Sequence, residues 1–132
     1  MTLFCMTLDP VRRTLEYAGA GHQGYLIHGD NSITVLESTG LAAGCIKDVT
    51  PPQARVISLQ DGDIVFVPTD GFEEAFGIGS VTFGKDRLLE LVKAHRGQPA
   101  EKMIETMFEI VREFTGPIDQ ADDMTAVVIK VR

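Results

Sequence analysis

The chain has no tryptophan, only two cysteines, and 12 Lys and Arg residues against 19 Asp and Glu. Cys5 and Cys45 stand far apart, with none of the close Cys/His spacings of a structural zinc site, and two thiols make no disulfide scaffold. Both lie among apolar residues, which predicts two buried thiols in a reducing compartment rather than a disulfide. The net charge of -7 argues against nucleic acid as a partner, because phosphate backbones are bound chiefly through Lys and Arg. No run approaches the about 18 apolar residues that a membrane helix needs, so no membrane segment is expected. Met1-Thr2-Leu3-Phe4 lacks the basic start of a signal peptide, and the cytoplasm is the expected location.

What the chain does have is an ordinary globular composition: 132 residues, 44% hydrophobic and 23% charged, enough for one domain with a real core. Its first half reads as strands. Thr2 to Leu8 is β-prone and closes at Asp9-Pro10; Thr14 to Ala18 leads into the small residues Gly19-Ala20-Gly21-His22, a tight bend or a close backbone approach. Tyr25 to His28 and Ile33 to Leu36 flank Gly29-Asp30 as a hairpin, and Ser38 to Pro52 reads as loop. Arg55 to Leu59 alternates. Ile64-Val65-Phe66-Val67 is a continuous apolar run, the pattern of a strand buried on both faces. That strand ends in Pro68-Thr69-Asp70-Gly71, and a loop is expected to follow to Gly84. Helical spacing then takes over: Leu88, Leu89, Leu91 and Val92 predict one helix ending near His95, and Met103, Ile104, Met107, Phe108, Ile110 and Val111 predict another, from Pro99 or Ala100 to Phe114. Met124 to Val131 is a β-branched closing strand. Strands, then helices, then a strand predict an α+β fold.

Two acidic clusters stand where chemistry is plausible. Asp70 follows the buried strand, next to Gly71 and just before Glu73 and Glu74; Asp122 and Asp123 precede the closing strand. Carboxylates at strand ends can converge in space although they are far apart in sequence, and hard cations such as Mg²⁺ and Mn²⁺ take carboxylate oxygens while keeping several waters. Each cluster alone also has a structural reading, since Asp-Gly is a common turn and Asp is common before a strand. His28 and His95 show no evident partners and read as surface residues.

Ala20-Gly21-His22, Thr69-Asp70-Gly71 through Glu74-Ala75, Phe83-Gly84 through Arg87-Leu88, and Gln120 to Thr125 (Q-A-D-D-M-T) follow one another in an order that resembles the SpoIIE-like branch of the metal-dependent protein phosphatase 2C class. The opening Thr2-Leu3-Phe4 with Leu8-Asp9, and the loop Gly40-Leu41 to Gly44, are similar as well, so the resemblance spans nearly the whole chain. It implies a phosphatase 2C-like β-sandwich of mostly antiparallel sheets flanked by helices. It also implies a two-metal Mn²⁺ or Mg²⁺ site and hydrolysis of phosphoserine or phosphothreonine on a protein, commonly an anti-sigma antagonist in a bacterial signalling switch. By the same resemblance Asp70 and Asp122 are metal ligands. Gly71 lets the backbone pass close to the site, Asp123 supports the ligand beside it, and Thr125 orients the loop. Glu73 and Glu74 are further candidates, with a solvated surface as their alternative. His22 falls in a structural block, although a His beside Gly-rich backbone could also act as a general acid.

The family's opening strand with its own metal-binding Asp, the Gly-His-Gly segment and two helices have no counterpart in this sequence. Residues 1–132 are therefore expected to form a single, N-terminally incomplete domain that is weakly active or inactive as it stands. A non-catalytic regulatory or protein-binding module is the alternative. The missing helical layer leaves an apolar sheet face to be covered, which predicts a partner or a homodimer.

Overall fold

The computed structural model describes residues 1–46, 52–118, 120 and 122–132; residues 47–51 of the predicted loop and Ala121 of the Gln120–Thr125 block lie outside them. The residues group into two compact units, Met1–Val65 with Val131–Arg132, and Phe66–Lys130.

The first unit holds strands β1 (Leu3–Asp9), β2 (Thr14–Ala20), β3 (Gly24–Ile27), β4 (Ile33–Leu36) and β5 (Arg55–Ser58), and the start of β6 (Ile64–Pro68). β1, β2 and β5 form an antiparallel sheet in that order, with Leu3 opposite Ala20 and Leu15 opposite Ile57. The β1–β2 turn is set by Asp9, whose Oδ1 accepts the N–H groups of Val11 at 3.0 Å and Arg12 at 2.9 Å, a side-chain turn in place of a backbone one. Gly21 has φ +68, and a Cβ there would lie 2.7 Å from the Ala42 Cβ, so the predicted tight bend needs glycine at that position. β3 and β4 pair as the expected antiparallel hairpin. The core of this unit contains Leu15, Tyr17, Tyr25, Leu26, Ile27, Leu36, Ile64 and Val65.

Two sequence expectations are corrected in this unit. Cys5 and Cys45 are free and exposed: in β1 the exposed and half-buried positions alternate from Leu3 to Met6, and Cys5 falls on the exposed face. His28 is half-buried and partnered, with Nδ1 3.5 Å from a carboxylate oxygen of Asp63 and Nε2 2.8 Å from the Thr34 hydroxyl. Asp63 itself is buried and also accepts the Gln60 N–H at 2.9 Å, which satisfies a group that would be costly to bury alone.

In the second unit β6 continues into α1 (Asp70–Glu73), followed by β7 (Phe76–Gly77), β8 (Val81–Thr82), α2 (Lys85–Ala94), α3 (Ala100–Thr115) and β9 (Ala126–Lys130). All five residues of β6 are buried, as the apolar run predicts. α1 and the β7–β8 hairpin replace the loop expected up to Gly84. α3 buries Met103, Met107 and Val111 on one stripe, and edge-to-face ring pairs hold Phe72 against Phe108 and Phe83 against Phe114 with centroids 5.0 and 5.1 Å apart. The helix stops at Gly116, whose φ of +57 a glycine adopts freely and whose N–H closes on the Arg112 carbonyl at 2.9 Å. Lys130 donates its ammonium to the carbonyls of Arg96 at 2.6 Å and Gln98 at 2.5 Å, tying β9 to the α2–α3 connection. Described residues thus form an α+β fold with antiparallel pairing and three helices.

Candidate metal centre

β6 and β9 are neighbours in one sheet, and the site residues stand where β6 ends and the β9 lead-in begins. Thr69 joins them. Its N–H donates to the Thr125 carbonyl at 2.8 Å, and its hydroxyl accepts the Thr125 N–H at 2.9 Å. The same hydroxyl lies 3.1 Å from the Asp123 carbonyl oxygen and 3.3 Å from that of Thr125, in reach to donate to either. With its hydroxyl so engaged, Thr69 precedes α1 in extended conformation (φ -83, ψ 160) without a side-chain cap on the helix.

Asp70 therefore leaves the buried strand at an exposed position, as the first residue of α1. Gly71 is buried, and a Cβ on it would collide with the Asp123 carbonyl oxygen and lie 3.3 Å from that of Asp122. The Gly71 backbone is thus seated against the Asp122–Asp123 backbone, although the two are distant in sequence. The Asp122 carboxylate accepts the Asp123 N–H at 2.7 Å, which restrains its rotation, and the Asp122 carbonyl accepts the Gln120 side-chain amide at 2.6 Å. Asp122 and Asp123 are both exposed.

Of the other residues singled out from the sequence, Thr125 is placed in this cluster through its bonds to Thr69. Glu74 is exposed, its N–H donates to the Asp70 carbonyl at 2.8 Å, and it lines an adjoining cavity. Glu73 is half-buried, and its carbonyl accepts the Gly84 N–H at 2.9 Å. His22 belongs to the first unit, where its ring meets Phe4 edge-on with centroids 6.2 Å apart.

The cavity is about 180 Å³ and is bounded by Gly71, Glu74, Phe76, Arg112, Gln120 and Asp122, among others. Arg112 was not legible from sequence as a site residue: it is one cation on the last turn of an amphipathic helix, the commonest place for a solvated arginine.

The chemistry of the donors suits a hard divalent cation. Exposed carboxylates on two adjoining segments offer oxygen donors, and Mg²⁺ in particular is held by one or two carboxylates with water or substrate completing the shell. Among the described residues no three His, Cys, Asp or Glu side chains stand together as a ready-made metal cage.

The fold that carries these residues is shared with PP2C-type phosphatase domains. The SiaA PP2C domain of Pseudomonas aeruginosa superposes with a TM-score of 0.84 at 24% identity, covering 99% of this chain and 51% of that one. The phosphatase domain of the cell fate determinant SpoIIE from Bacillus subtilis, in its Mn-presoaked form, gives 0.66 at 19% identity over 98% of this chain and 56% of its own. Protein IcfG of Synechocystis sp. is 29% identical over 129 residues, 97% of this chain and 20% of IcfG. The chain thus spans about half the length of these solved relatives and a fifth of the curated one. It belongs to the SpoIIE family, Stage II sporulation protein E, whose model matches residues 1–132.

Proposed function

We propose that this chain is the part of a metal-dependent serine/threonine phosphoprotein phosphatase domain that carries Asp70 and Asp122 as metal ligands. The observation that carries the reading is the seating of Gly71 against the Asp122 and Asp123 carbonyls, which puts two carboxylate-bearing loops side by side at the solvent end of a buried strand. Asp70 and Asp122 would hold Mn²⁺ or Mg²⁺. When bound, such cations neutralise charge on the phosphoryl oxygens and acidify water for attack on phosphorus. The protein's own contribution is positional. Thr69 and Thr125 lock the two loops together, and the Asp123 N–H restrains the Asp122 carboxylate. Manganese treatment of the Bacillus subtilis relative's crystals supports Mn²⁺ as the cation to try first.

The substrate in this reading is a phosphoserine or phosphothreonine protein of bacterial signalling, an anti-sigma antagonist as the sequence resemblance implies, acting in the cytoplasm. The test is Mn²⁺-dependent hydrolysis of a phosphoserine peptide by this chain and by Asp70→Ala. Weak turnover that requires both the metal and Asp70 is the outcome that supports the reading. Turnover that persists unchanged in Asp70→Ala, or without metal, would sink the assignment of the site; absent turnover in both would favour a non-catalytic binding module.

A further inference from the structure

The cavity next to Asp122 is too small for a cofactor, since pockets for drug-sized ligands start at about 300 Å³; at about 180 Å³ it suits one substrate group. Its lining combines apolar surface from Ala75, Phe76, Ile118 and Met124 with the charged residues Glu74, Asp122 and Arg112. Among the described residues Arg112 is its one cationic lining residue. It makes no ion pair among the described residues, although Glu109 lies three positions before it and Glu113 follows it directly. An arginine with two carboxylates near it in sequence and neither engaged keeps its planar, five-donor fork available for an incoming oxyanion.

Resting on the phosphatase reading above, we propose that Arg112 is a substrate-binding residue that holds an oxyanion of the phosphoprotein in this cavity, beside Asp122. Guanidinium matches phosphate and carboxylate oxygens two at a time, so one arginine gives orientation as well as charge. Asp122 would repel that anion if bare, and a cation held by Asp122 would offset the repulsion. Glu74 remains as a like charge in the lining and disfavours a second anionic group. The bound oxyanion has two possible sources on such a substrate: the phosphoryl group itself, or a carboxylate flanking the phosphorylated residue.

The experiment compares wild type, Arg112→Ala, Arg112→Gln and Arg112→Lys on three substrates: p-nitrophenyl phosphate, a phosphoserine peptide with alanine neighbours, and one with glutamate neighbours. Arg112 is exposed, so the variants are expected to fold, and far-ultraviolet circular dichroism checks that they do. KM is expected to rise about tenfold in Arg112→Ala and Arg112→Gln, the size of a lost charge-assisted bond. Lysine should restore only part, because it keeps the charge and loses the fork. A rise on all three substrates assigns the phosphoryl group; a rise confined to the glutamate peptide assigns the flanking carboxylate. Unchanged KM on every substrate overturns the proposal while wild-type turnover leaves the phosphatase reading standing. If wild type shows no turnover, this chain is catalytically incomplete by itself, and Arg112 is judged by titrating the phosphoserine peptides against its side-chain Nε–H resonance. A shift of that resonance, with affinity lost in Arg112→Ala, upholds oxyanion binding; equal affinity in the variant overturns it.

Discussion

At Gly71 one missing methyl group decides how close two loops come. A Cβ there would overlap the Asp123 carbonyl oxygen, which is backbone and cannot swing aside like a side-chain end. Gly71→Ala should cost about 2 kcal/mol, the usual scale of overpacking in a filled site, and chemical denaturation reads it directly. A loss within a few tenths would mean that the loops separate freely. Asp30 offers a pH test on an exposed carboxylate. The Ser32 hydroxyl at 2.6 Å, then the Ser32 N–H at 2.9 Å, stabilise its charged form and hold its pKa below the ordinary aspartate value. A lowered folded-state pKa contributes stability above the unfolded value and loses it as pH falls through the folded one. Ser32→Ala should move the Asp30 carboxyl resonance titration back up toward the ordinary range; an unmoved midpoint would refute the cause. Residues also show where sequence reading stops. His28 reads as a bare surface histidine because its partner Asp63 lies far along the chain, and only the fold brings the two together.

Elements long enough to display their period were legible: the all-buried β6, the helices α2 and α3, and the β3–β4 hairpin all fall where apolar spacing puts them. α1 has four residues and β7 and β8 two each, shorter than one cycle of any pattern that could reveal them, so the same stretch read as loop. The acidic clusters could be located in sequence, and their resemblance to a family motif suggested a joint role. The resemblance marked Thr125 as orienting the loop, but its bonding to Thr69 could not be found this way, because a hydroxyl that accepts a backbone N–H far along the chain carries no compositional mark. Thr69→Val keeps the β-branched shape and removes the hydroxyl that accepts the Thr125 N–H. A loss of about 1 kcal/mol follows from one hydrogen bond. Amide exchange provides the local readout, with faster exchange expected at Thr125 than at the centre of α3. Equal protection of Thr125 in the variant would show that the β6–β9 backbone pairing holds this junction without the hydroxyl.

For the whole molecule, charge and surface pull in opposite directions. A net charge of -7 favours separate chains, whereas the β1–β2–β5 sheet offers an unguarded edge. β1 pairs with β2 on one side and has no strand on the other among the described residues. From Leu3 to Leu8 it carries no charge and no proline, the devices that usually protect an edge. Leu3, Leu8 and Val56 of this sheet are 47%, 41% and 63% exposed. This chain is therefore proposed to self-associate through β1, with charge repulsion limiting the dimer at low salt. Sedimentation velocity over rising concentration should reveal a dimer fraction that grows when salt is raised, because screening weakens the repulsion and leaves apolar contact intact. Thr7→Lys, which puts a cation on the exposed edge strand, should return the protein to monomer at the same salt. A monomer at every concentration and salt level would rule out β1 as a self-association surface, and a dimer that ignores Thr7→Lys would place the contact elsewhere.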